Sequence, residues 1–192
     1  MTDYAMAVDL KKCVGCGACA VACKAENQVP DGVFRLTTHE EEQGTFPDVE
    51  TEFRHDQCRH CDNAPCVSVC PTRSSYTAES GLVRIDYSKC IGCKACMVAC
   101  PYDARFINPE GGYADKCTYC FHRVKEGKDP ACVNTCPTGA RIFGDLDDPN
   151  SEIRKELRDN RVSTPKEEAG TDPRFFYLNK KLEEVKARWK SR

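Results

Sequence analysis

The sequence predicts an α+β fold, with two similar cysteine-rich units, an inserted loop or hairpin region and a C-terminal extension in one chain. All sixteen cysteines of the 192-residue chain fall into four groups of four. Two groups have the same spacing and stand 77 residues apart, from Cys13 to Cys90, which indicates an internal repeat. A short strand-like run precedes each copy. We therefore expect the fold to be organised around the cysteine groups.

The repeated group has a spacing that is typical of iron-sulfur proteins. Its two copies are Cys13, Cys16, Cys19 and Cys23, and Cys90, Cys93, Cys96 and Cys100. Both read C-x2-C-x2-C-x3-C, the spacing by which bacterial ferredoxins bind 4Fe-4S clusters. Three thiolates fold round one face of a cubane, whereas the fourth points towards a neighbouring cluster. Gly15 and Gly92 suit a closely wrapped loop with positive backbone dihedrals.

The other two groups have a similar pattern with a longer gap between the second and third cysteines. They are Cys58, Cys61, Cys66 and Cys70, and Cys117, Cys120, Cys132 and Cys136. Proline follows the last cysteine in three of the four groups, and Lys24 takes its place in the first. Zinc ribbons use paired C-x2-C knuckles rather than triplets, and no cysteine is left over for a disulfide or a catalytic thiol. The groups therefore predict four 4Fe-4S clusters in two ferredoxin-like units.

The composition limits what can fill the interior. Apolar residues make up 40% of the chain, and about 32% without cysteine, which is thin for two hydrophobic cores. We therefore expect an apoprotein that is largely unfolded. The formal net charge of −2 falls to about −10 with four clusters, which disfavours nucleic acid as a partner. No stretch of about 18 apolar residues predicts a membrane span, and no signal peptide is evident, so the sequence by itself predicts a cytoplasmic protein.

Strand signals surround each unit. Runs at 4–8 and 82–85 precede the repeated groups, and runs at 140–143 and 104–107 follow the last cysteine of a partner group. We expect 4–8 to pair with 140–143, and 82–85 to pair with 104–107. Hairpin-type turns are predicted at 80–81 and 109–112.

An insertion at 24–57 separates the first two cysteine groups. It is rich in turn formers and acids, and its acidic triplet Glu40–Glu42 predicts a solvated loop rather than a docking patch. Alternation over residues 49–53 predicts a half-buried strand that leads into Cys58.

The C-terminal extension spans residues 147–192. Ile153 and Leu157 give a short helix one apolar face, and the polar residues 162–174 are expected to run extended along the surface. Phe175–Leu178 is an apolar island that either docks on another subunit or packs on the chain's own body. A last helix is expected to lie on a partner through a narrow stripe of Leu182, Val185 and Trp189.

The sequence resembles the four-cluster electron-transfer (beta) subunit of the molybdopterin oxidoreductase, or dimethyl sulfoxide reductase, family. The similarity covers about residues 4–178. It is carried by the runs 13–23, 58–71, 90–105, 115–120, 129–137 and 144–149. In length and local sequence the chain looks most like the B subunits of polysulfide and thiosulfate reductases. Tetrathionate and arsenate also remain open as terminal substrates.

The resemblance implies that the first and fourth groups exchange their last cysteines, as do the second and third. Four sets follow: set 1 with Cys13, Cys16, Cys19 and Cys136; set 2 with Cys23, Cys117, Cys120 and Cys132; set 3 with Cys58, Cys61, Cys66 and Cys100; set 4 with Cys70, Cys90, Cys93 and Cys96. The two ferredoxin-like units are then interleaved. Residues 1–23 and 115–146 form the first unit, with sets 1 and 2, and residues 58–114 form the second, with sets 3 and 4.

The resemblance implies an electron carrier without a catalytic residue of its own. Complete thiolate ligation leaves no open iron, and no phosphate-binding, nucleophile-elbow or pyridine-nucleotide motif is present. Electrons would run from a quinol-oxidising integral-membrane subunit through set 4 to set 1 and a molybdopterin catalytic subunit, in anaerobic respiration. Such a complex would lie on the periplasmic face if a partner carries the export signal, with the cytoplasm as the alternative.

Two other functions remain open. One is a free-standing soluble polyferredoxin, and the other is a subunit whose clusters are only structural. Charged side chains beside the cysteine groups either tune cluster potentials, contact partners, or are ordinary surface charge. These side chains are Arg59, His60, Lys94, Arg105, Lys116, His122 and Arg123.

Overall fold

A computed structural model describes residues 2–179. Its elements are β1 Tyr4–Asp9, α1 Ala18–Glu26, β2 Leu36–Thr45, β3 Asp48–Gln57, α2 Pro65–Ser68, β4 Ser75–Thr77, β5 Val83–Ile85, α3 Ala95–Val98, β6 Phe106–Ile107, β7 Ala114–Asp115, α4 Phe121–Val124, α5 Ala131–Asn134, β8 Arg141–Asp145, α6 Glu152–Asp159, β9 Val162–Ser163 and β10 Phe175–Leu178. None of the helices in this range has the length and apolar character needed to cross a bilayer. The predicted last helix lies outside the described residues.

A four-stranded sheet in the order β8-β1-β10-β9 supports the first unit. β1 pairs antiparallel with β8, which confirms the pairing predicted for 4–8 and 140–143. On its other edge β1 pairs parallel with β10. Both faces of β1 are buried: Met6 and Val8 pack among cysteine side chains, whereas Ala5 and Ala7 pack with Ile153 of α6. β1 therefore lies between the cysteine groups on one face of the sheet and α6 on the other.

The second unit rests on two small hairpins. The expected pairing of 82–85 with 104–107 is wrong, because β5 pairs with β4 and β6 pairs with β7. The predicted turn at 80–81 joins β4 to β5, and the predicted turn at 109–112 joins β6 to β7. Closing a short loop costs less chain entropy than joining distant strands, which favours the local partners.

The insertion contains a long hairpin of β2 and β3. The strand predicted to lead into Cys58 is confirmed as β3. The acidic triplet Glu40–Glu42 was expected in a loop, but it lies in β2. Arg54 on the opposite strand donates from Nη1 to Glu41 Oε1 at 2.9 Å. Cross-strand ion pairs of this kind offset the repulsion within the acidic strand.

The extension folds back on the first unit. α6 buries Ile153, as the sequence predicted. Residues 162–174 are more structured than expected, because they contain β9, a 3-10 turn at Glu167–Ala169 and the buried Thr171. The apolar island Phe175–Leu178 forms β10 between β1 and β9. The island therefore packs on the chain's own body, which is one of the two alternatives that the sequence left open.

The lysine that follows Cys23 has a visible effect on the fold. The helices that lead to a Cys-Pro pair have four residues each, whereas α1 continues to Glu26. Proline cannot continue a helix, but Lys24 can. Lys24 Nζ donates to the carbonyl oxygens of Pro30 and Val33 at 2.6 and 3.2 Å. The longer helix therefore attaches the insertion to the first cysteine group.

Candidate metal centres

The two outer cysteine sets each surround a cavity. Set 1, which consists of Cys13, Cys16, Cys19 and Cys136, lines one small cavity. Set 4, which consists of Cys70, Cys90, Cys93 and Cys96, lines another. In each cavity one cysteine comes from a distant group in the sequence, and one (Cys16 or Cys93) is exposed. The cysteines surround space rather than a point, and no three His, Cys, Asp or Glu side chains within residues 2–179 converge as they would on a single metal ion.

The two inner sets are more deeply buried. All four cysteines of set 2 are buried, and in set 3 only Cys100 is partly exposed. The charges that raise the pKa of Cys23 are those of Cys132 and Cys120 from the same set. The charges acting on Cys61 in the same way are those of Cys58, Cys66 and Cys100. The structure therefore places Cys23, Cys120 and Cys132 near one another, and likewise Cys58, Cys61, Cys66 and Cys100, while Cys117 lies near both Cys23 and Cys58.

Burial opposes the thiolate form that iron binds. Burial, followed by the neighbouring Cys132 and Cys120, raises the pKa of Cys23 to about 12. Burial, followed by Cys58, raises the pKa of Cys61 to about 12. A bound metal deprotonates such a thiol outright. These sites therefore suit a cationic metal group and disfavour free thiolates.

Hydrogen-bond donors are directed at the cysteine sulfurs. Backbone N–H groups donate to Sγ at 3.3–3.4 Å from His60 to Cys58, Tyr119 to Cys117, Ser75 to Cys70 and Ala114 to Cys90. Burial raises the pKa of Cys70, but the N–H groups of Ser75 and Thr72 outweigh it, and the pKa falls below its ordinary value. Donors to sulfur stabilise its negative charge and tune cluster potentials. The donor set therefore fits thiolate-ligated clusters.

A buried arginine stands at the same place in each unit. Arg105 and Arg141 both occur five residues after the last cysteine of a group, in runs that read C-P-x-x-A-R. Arg105 Nη2 donates to Cys66 Sγ at 2.9 Å and to Ser75 Oγ at 2.8 Å. Burial lowers the pKa of Arg105, but the charge of Cys66 outweighs it, and the pKa is raised. The guanidinium therefore remains charged beside the sulfur.

Arg141 has different neighbours. Its Nη2 donates to Gln57 Oε1 and, at 3.0 Å, to Met6 Sδ. Burial lowers the pKa of Arg141, but the charges of nearby cysteines, Cys132 first, outweigh it and raise the pKa. Buried cations of this kind offset the negative charge of thiolate-bound clusters.

One residue of the C-x2-C loop differs between the outer and inner sets. The residue before the second cysteine is glycine in the outer sets, and Gly15 and Gly92 both have φ of 67°. In the inner sets it is His60, with φ of 47°, and Tyr119, with φ of 51°. A left-handed backbone costs a residue with a side chain about 1–2 kcal/mol. The inner loops therefore retain an aromatic ring in a conformation that favours glycine.

The charged residues that flank the cysteine groups are of two kinds in the structure, buried and exposed. Arg59, His60, Arg105 and Lys116 are at most 4% exposed, so ordinary surface charge is wrong for these four. Burial, and then Lys116 and Arg105, lowers the pKa of His60 well below its usual value, so its ring is neutral at pH 7. By contrast, the side chains of Lys94 and His122 are exposed. Arg123 is half-buried and pairs with Glu26 at 2.9 Å.

Sequence reasoning missed two residues of the sites. Arg141 could have been found, because the C-P-x-x-A-R run that contains Arg105 occurs a second time. His55 lies in β3, and its Nε2 is 3.4 Å from Cys13 Sγ. Its position depends on how the insertion folds over set 1, and no local pattern indicates that contact.

The chain is similar to known proteins over most of its length. Residues 12–74 and residues 49–146 each match a 4Fe-4S dicluster domain. The chain is 47% identical to the B subunit of tetrathionate reductase of Salmonella typhimurium, over 91% of this chain and 72% of that protein. It is 43% identical to the B chain of polysulfide reductase of Wolinella succinogenes, over 93% and 95%. It is 38% identical to the iron-sulfur subunit of the arsenate respiratory reductase of a Shewanella species, over 90% and 94%.

These matches establish the cofactor. Two dicluster domains indicate four 4Fe-4S clusters, which is the number that the four cysteine groups predict. Such clusters exchange single electrons at iron that is fully ligated by thiolates. The relatives are iron-sulfur subunits of reductases, which confirms the resemblance seen in the sequence.

Proposed function

The chain belongs to the family of iron-sulfur B subunits of reductase complexes, and from this premise we propose the route of its electrons. The protein relays single electrons through four 4Fe-4S clusters from a quinol-oxidising membrane subunit to a molybdopterin catalytic subunit. It performs no bond chemistry itself. A polysulfide or thiosulfate-type reductase is the proposed complex, since the B chain of polysulfide reductase is similar over 95% of its length.

The proposal keeps the four ligand sets that the resemblance implies. Residues 1–23 and 115–146 hold sets 1 and 2, and residues 58–114 hold sets 3 and 4. The insertion 24–57 covers set 1, and the C-terminal extension 147–192 is proposed to dock on partner subunits. Two observations support the assignment: sets 1 and 4 each line one cavity, and the thiols within sets 2 and 3 act on one another.

The observation that carries the proposal is the position of the exposed cysteines. Among the sixteen, Cys16 of set 1 and Cys93 of set 4 are exposed. Apolar side chains that are 59% or more exposed flank both, at equivalent positions of the repeat: Val14 and Val21, and Ile91 and Val98. Exposed apolar groups beside a redox centre suit docking of a protein partner. A relay with an electron entrance at one end and an exit at the other needs two such faces, whereas a freely diffusing polyferredoxin needs only one.

The proposal extends to the partners and to the side of the membrane, by analogy with the family. The face at set 4 receives electrons from the membrane subunit, and the face at set 1 delivers them to the catalytic subunit. The protein is peripheral and is held to the membrane by its partner. We propose the periplasmic face, reached through an export signal on the catalytic partner, and the cytoplasmic face is the alternative.

Replacement of Cys93 by alanine in the assembled complex tests this route. The variant is expected to lose or convert the cluster of set 4 and to retain the other three. Quinol-linked turnover should fall at least about 100-fold, because the first step of the relay is lost. Turnover with an artificial dye that donates electrons directly to the catalytic subunit should remain within about twofold of the rate of the unmodified complex. Lys89→Ala, an exposed change beside the same group, is the matched control and should retain both activities.

Two results would contradict the proposal. Equal loss of quinol-linked and dye-linked turnover in an assembled complex would reject the position of set 4 at the membrane side. Purification of the protein from its source organism without any co-purifying chain would favour the free polyferredoxin. Size-exclusion chromatography of the complex shows whether assembly is intact in each case.

A further inference from the structure

Two aromatic rings meet at the boundary between the units. His60 lies in the C-x2-C loop of set 3, and Tyr119 lies in the corresponding loop of set 2. Their ring centroids are 4.0 Å apart, and the ring planes are tilted by 34°. Neither side chain is exposed. The rings therefore form a direct contact, closed to solvent, between a cysteine loop of one unit and a cysteine loop of the other.

Each ring is tied to a cysteine through its own backbone. The N–H of His60 donates to Cys58 Sγ, and the N–H of Tyr119 donates to Cys117 Sγ, both at 3.4 Å. Cys58, Cys117 and Tyr119 also belong to one buried core cluster. A short path thus runs from a sulfur of set 3 through the two rings to a sulfur of set 2.

The surroundings hold Tyr119 in place against a backbone penalty that His60 shares. Both have positive φ, at positions where the outer sets have glycine. The Tyr119 hydroxyl donates to the carbonyl oxygen of Arg174 at 3.1 Å, and the ring of Phe143 meets it edge-on at 5.5 Å. Conformations of this kind persist where the surrounding structure over-determines them, and they collect at functional sites. Filling space alone does not require a ring on a left-handed residue.

We propose that the His60–Tyr119 ring pair is the positioning element for electron transfer between the two units. The inference rests on the proposed function, because it concerns the middle step of that relay. One electron leaves the reduced cluster of set 3, which becomes oxidised, and enters the oxidised cluster of set 2, which becomes reduced. No bond breaks and no proton moves. The pair fixes the separation of the two cysteine loops and excludes water from the gap, and tunnelling falls steeply with distance and with voids along the path.

The test compares variants of the complete four-cluster protein in its complex. Tyr119→Leu and His60→Leu each remove one ring and keep apolar volume, whereas Tyr119→Phe keeps the ring and removes only the hydroxyl. Tyr113→Ala is the matched control, because Tyr87 and Tyr113 form another ring pair, at 4.3 Å, that is not shared by the inner loops. Three quantities are measured: iron per chain, the magnetic interaction between reduced neighbouring clusters by electron paramagnetic resonance, and the rate of electron redistribution between the units after a reducing pulse.

Both leucine variants are expected to hold all four clusters, to show a weaker magnetic interaction between sets 2 and 3, and to redistribute electrons about tenfold more slowly. Tyr119→Phe and Tyr113→Ala should stay within about twofold of the unmodified protein. An unchanged rate in both leucine variants, or loss of clusters in both, would overturn the inference, since the pair would then be inert or a scaffold. Failure of the unmodified protein to move electrons between the units would instead reject the proposed function.

Discussion

The two outer cysteine sets have comparable spacing and unlike surroundings. At set 1 the insertion hairpin covers the cysteine loop: His55 Nε2 lies 3.4 Å from Cys13 Sγ, and the ring of Phe53 fills the space beside Gly15. At set 4 the neighbour is the local hairpin of β6 and β7, whose contribution is the N–H of Ala114 at 3.3 Å from Cys90 Sγ. The cysteine spacing determines that a cluster binds, whereas the covering segment determines which donors reach its sulfurs. We therefore expect the clusters of set 1 and set 4 to differ in potential although their motifs agree.

The same contrast extends to the buried arginines. Arg105 donates to the sulfur of Cys66 at 2.9 Å, whereas Arg141 shares its donors among Gln57, Met6 and the sulfur of Cys132. One repeat position thus supplies a buried cation to each unit, with different hydrogen-bond partners.

Replacing the arginines should have the largest effect on this contrast. Arg105→Met and Arg141→Met each remove a buried cation from beside negative clusters, at a cost of about 3–5 kcal/mol in stability. Potentials of the second-unit clusters should fall in Arg105→Met by more than those of the first-unit clusters fall in Arg141→Met, because Arg105 lies 2.9 Å from a cysteine sulfur, whereas Arg141 shares its donors among Gln57, Met6 and Cys132. Redox titration followed by electron paramagnetic resonance measures both shifts.

Arg105→Lys is the control for this pair, since it keeps the charge and loses the forked geometry. It should recover part of the lost potential. Equal shifts of cluster potential in the two methionine variants would contradict the predicted difference between the units.

Lys24→Pro tests whether the longer α1 distinguishes the first unit. Proline within a helix costs about 3 kcal/mol, because it removes a hydrogen bond and clashes with the preceding turn. The change gives the first group the Cys-Pro ending of the other three and removes the Lys24 bonds to the insertion. We expect cluster absorbance to be lost at lower denaturant concentration, with set 1 lost first.

Lys24→Met separates the two contributions, because it keeps the helix and removes only the bonds to the insertion. It should cost about 1 kcal/mol. A proline variant as stable as the methionine variant would show that the length of α1 is unimportant.

The glycines before Cys16 and Cys93 allow the smallest and sharpest test. Gly15→Ala and Gly92→Ala each cost about 1–2 kcal/mol for the positive φ. At Gly15 an added Cβ meets the Phe53 side chain, whereas at Gly92 it would lie 2.6 Å from the backbone oxygen of Gly112. Phe53→Ala should therefore relieve part of the cost of Gly15→Ala, while Gly92→Ala has no such remedy. Cluster loss in denaturant, compared with Phe53→Ala alone, measures the relief, and its absence would contradict the packing difference.

Sequence reasoning succeeded where a motif carries the information. Spacing identified the cysteine groups, turn-forming residues identified the turns at 80–81 and 109–112, and the ferredoxin pattern identified the ribbon of β1 and β8. The prediction was wrong for the pairing of 82–85 with 104–107, because each of these strands pairs instead with its neighbour in the sequence: β5 with β4, and β6 with β7. It left the fate of Phe175–Leu178 open, because a parallel pairing with β1 joins segments from opposite parts of the chain.

The environment of the cysteine groups was harder to predict than the groups themselves. Burial of Arg59 and Lys116 depends on the way the two units meet, and charge alone indicates a surface position. The rings of His60 and Tyr119 are each ordinary in their own loop, and only the fold brings them within 4.0 Å. Repeat symmetry was the one signal that extended beyond the ligands, and it identifies Arg141 once Arg105 has been noticed.

The place of β10 in the sheet has a consequence for biosynthesis. The first strand of the chain is hydrogen-bonded along one edge to residues 175–178, so it cannot obtain that neighbour until the ribosome has translated them. The segment 58–114 is continuous and can close while synthesis is still in progress. We therefore expect the maturation machinery that supplies iron and sulfide to load the second unit first, and the first unit only after translation has passed residue 178.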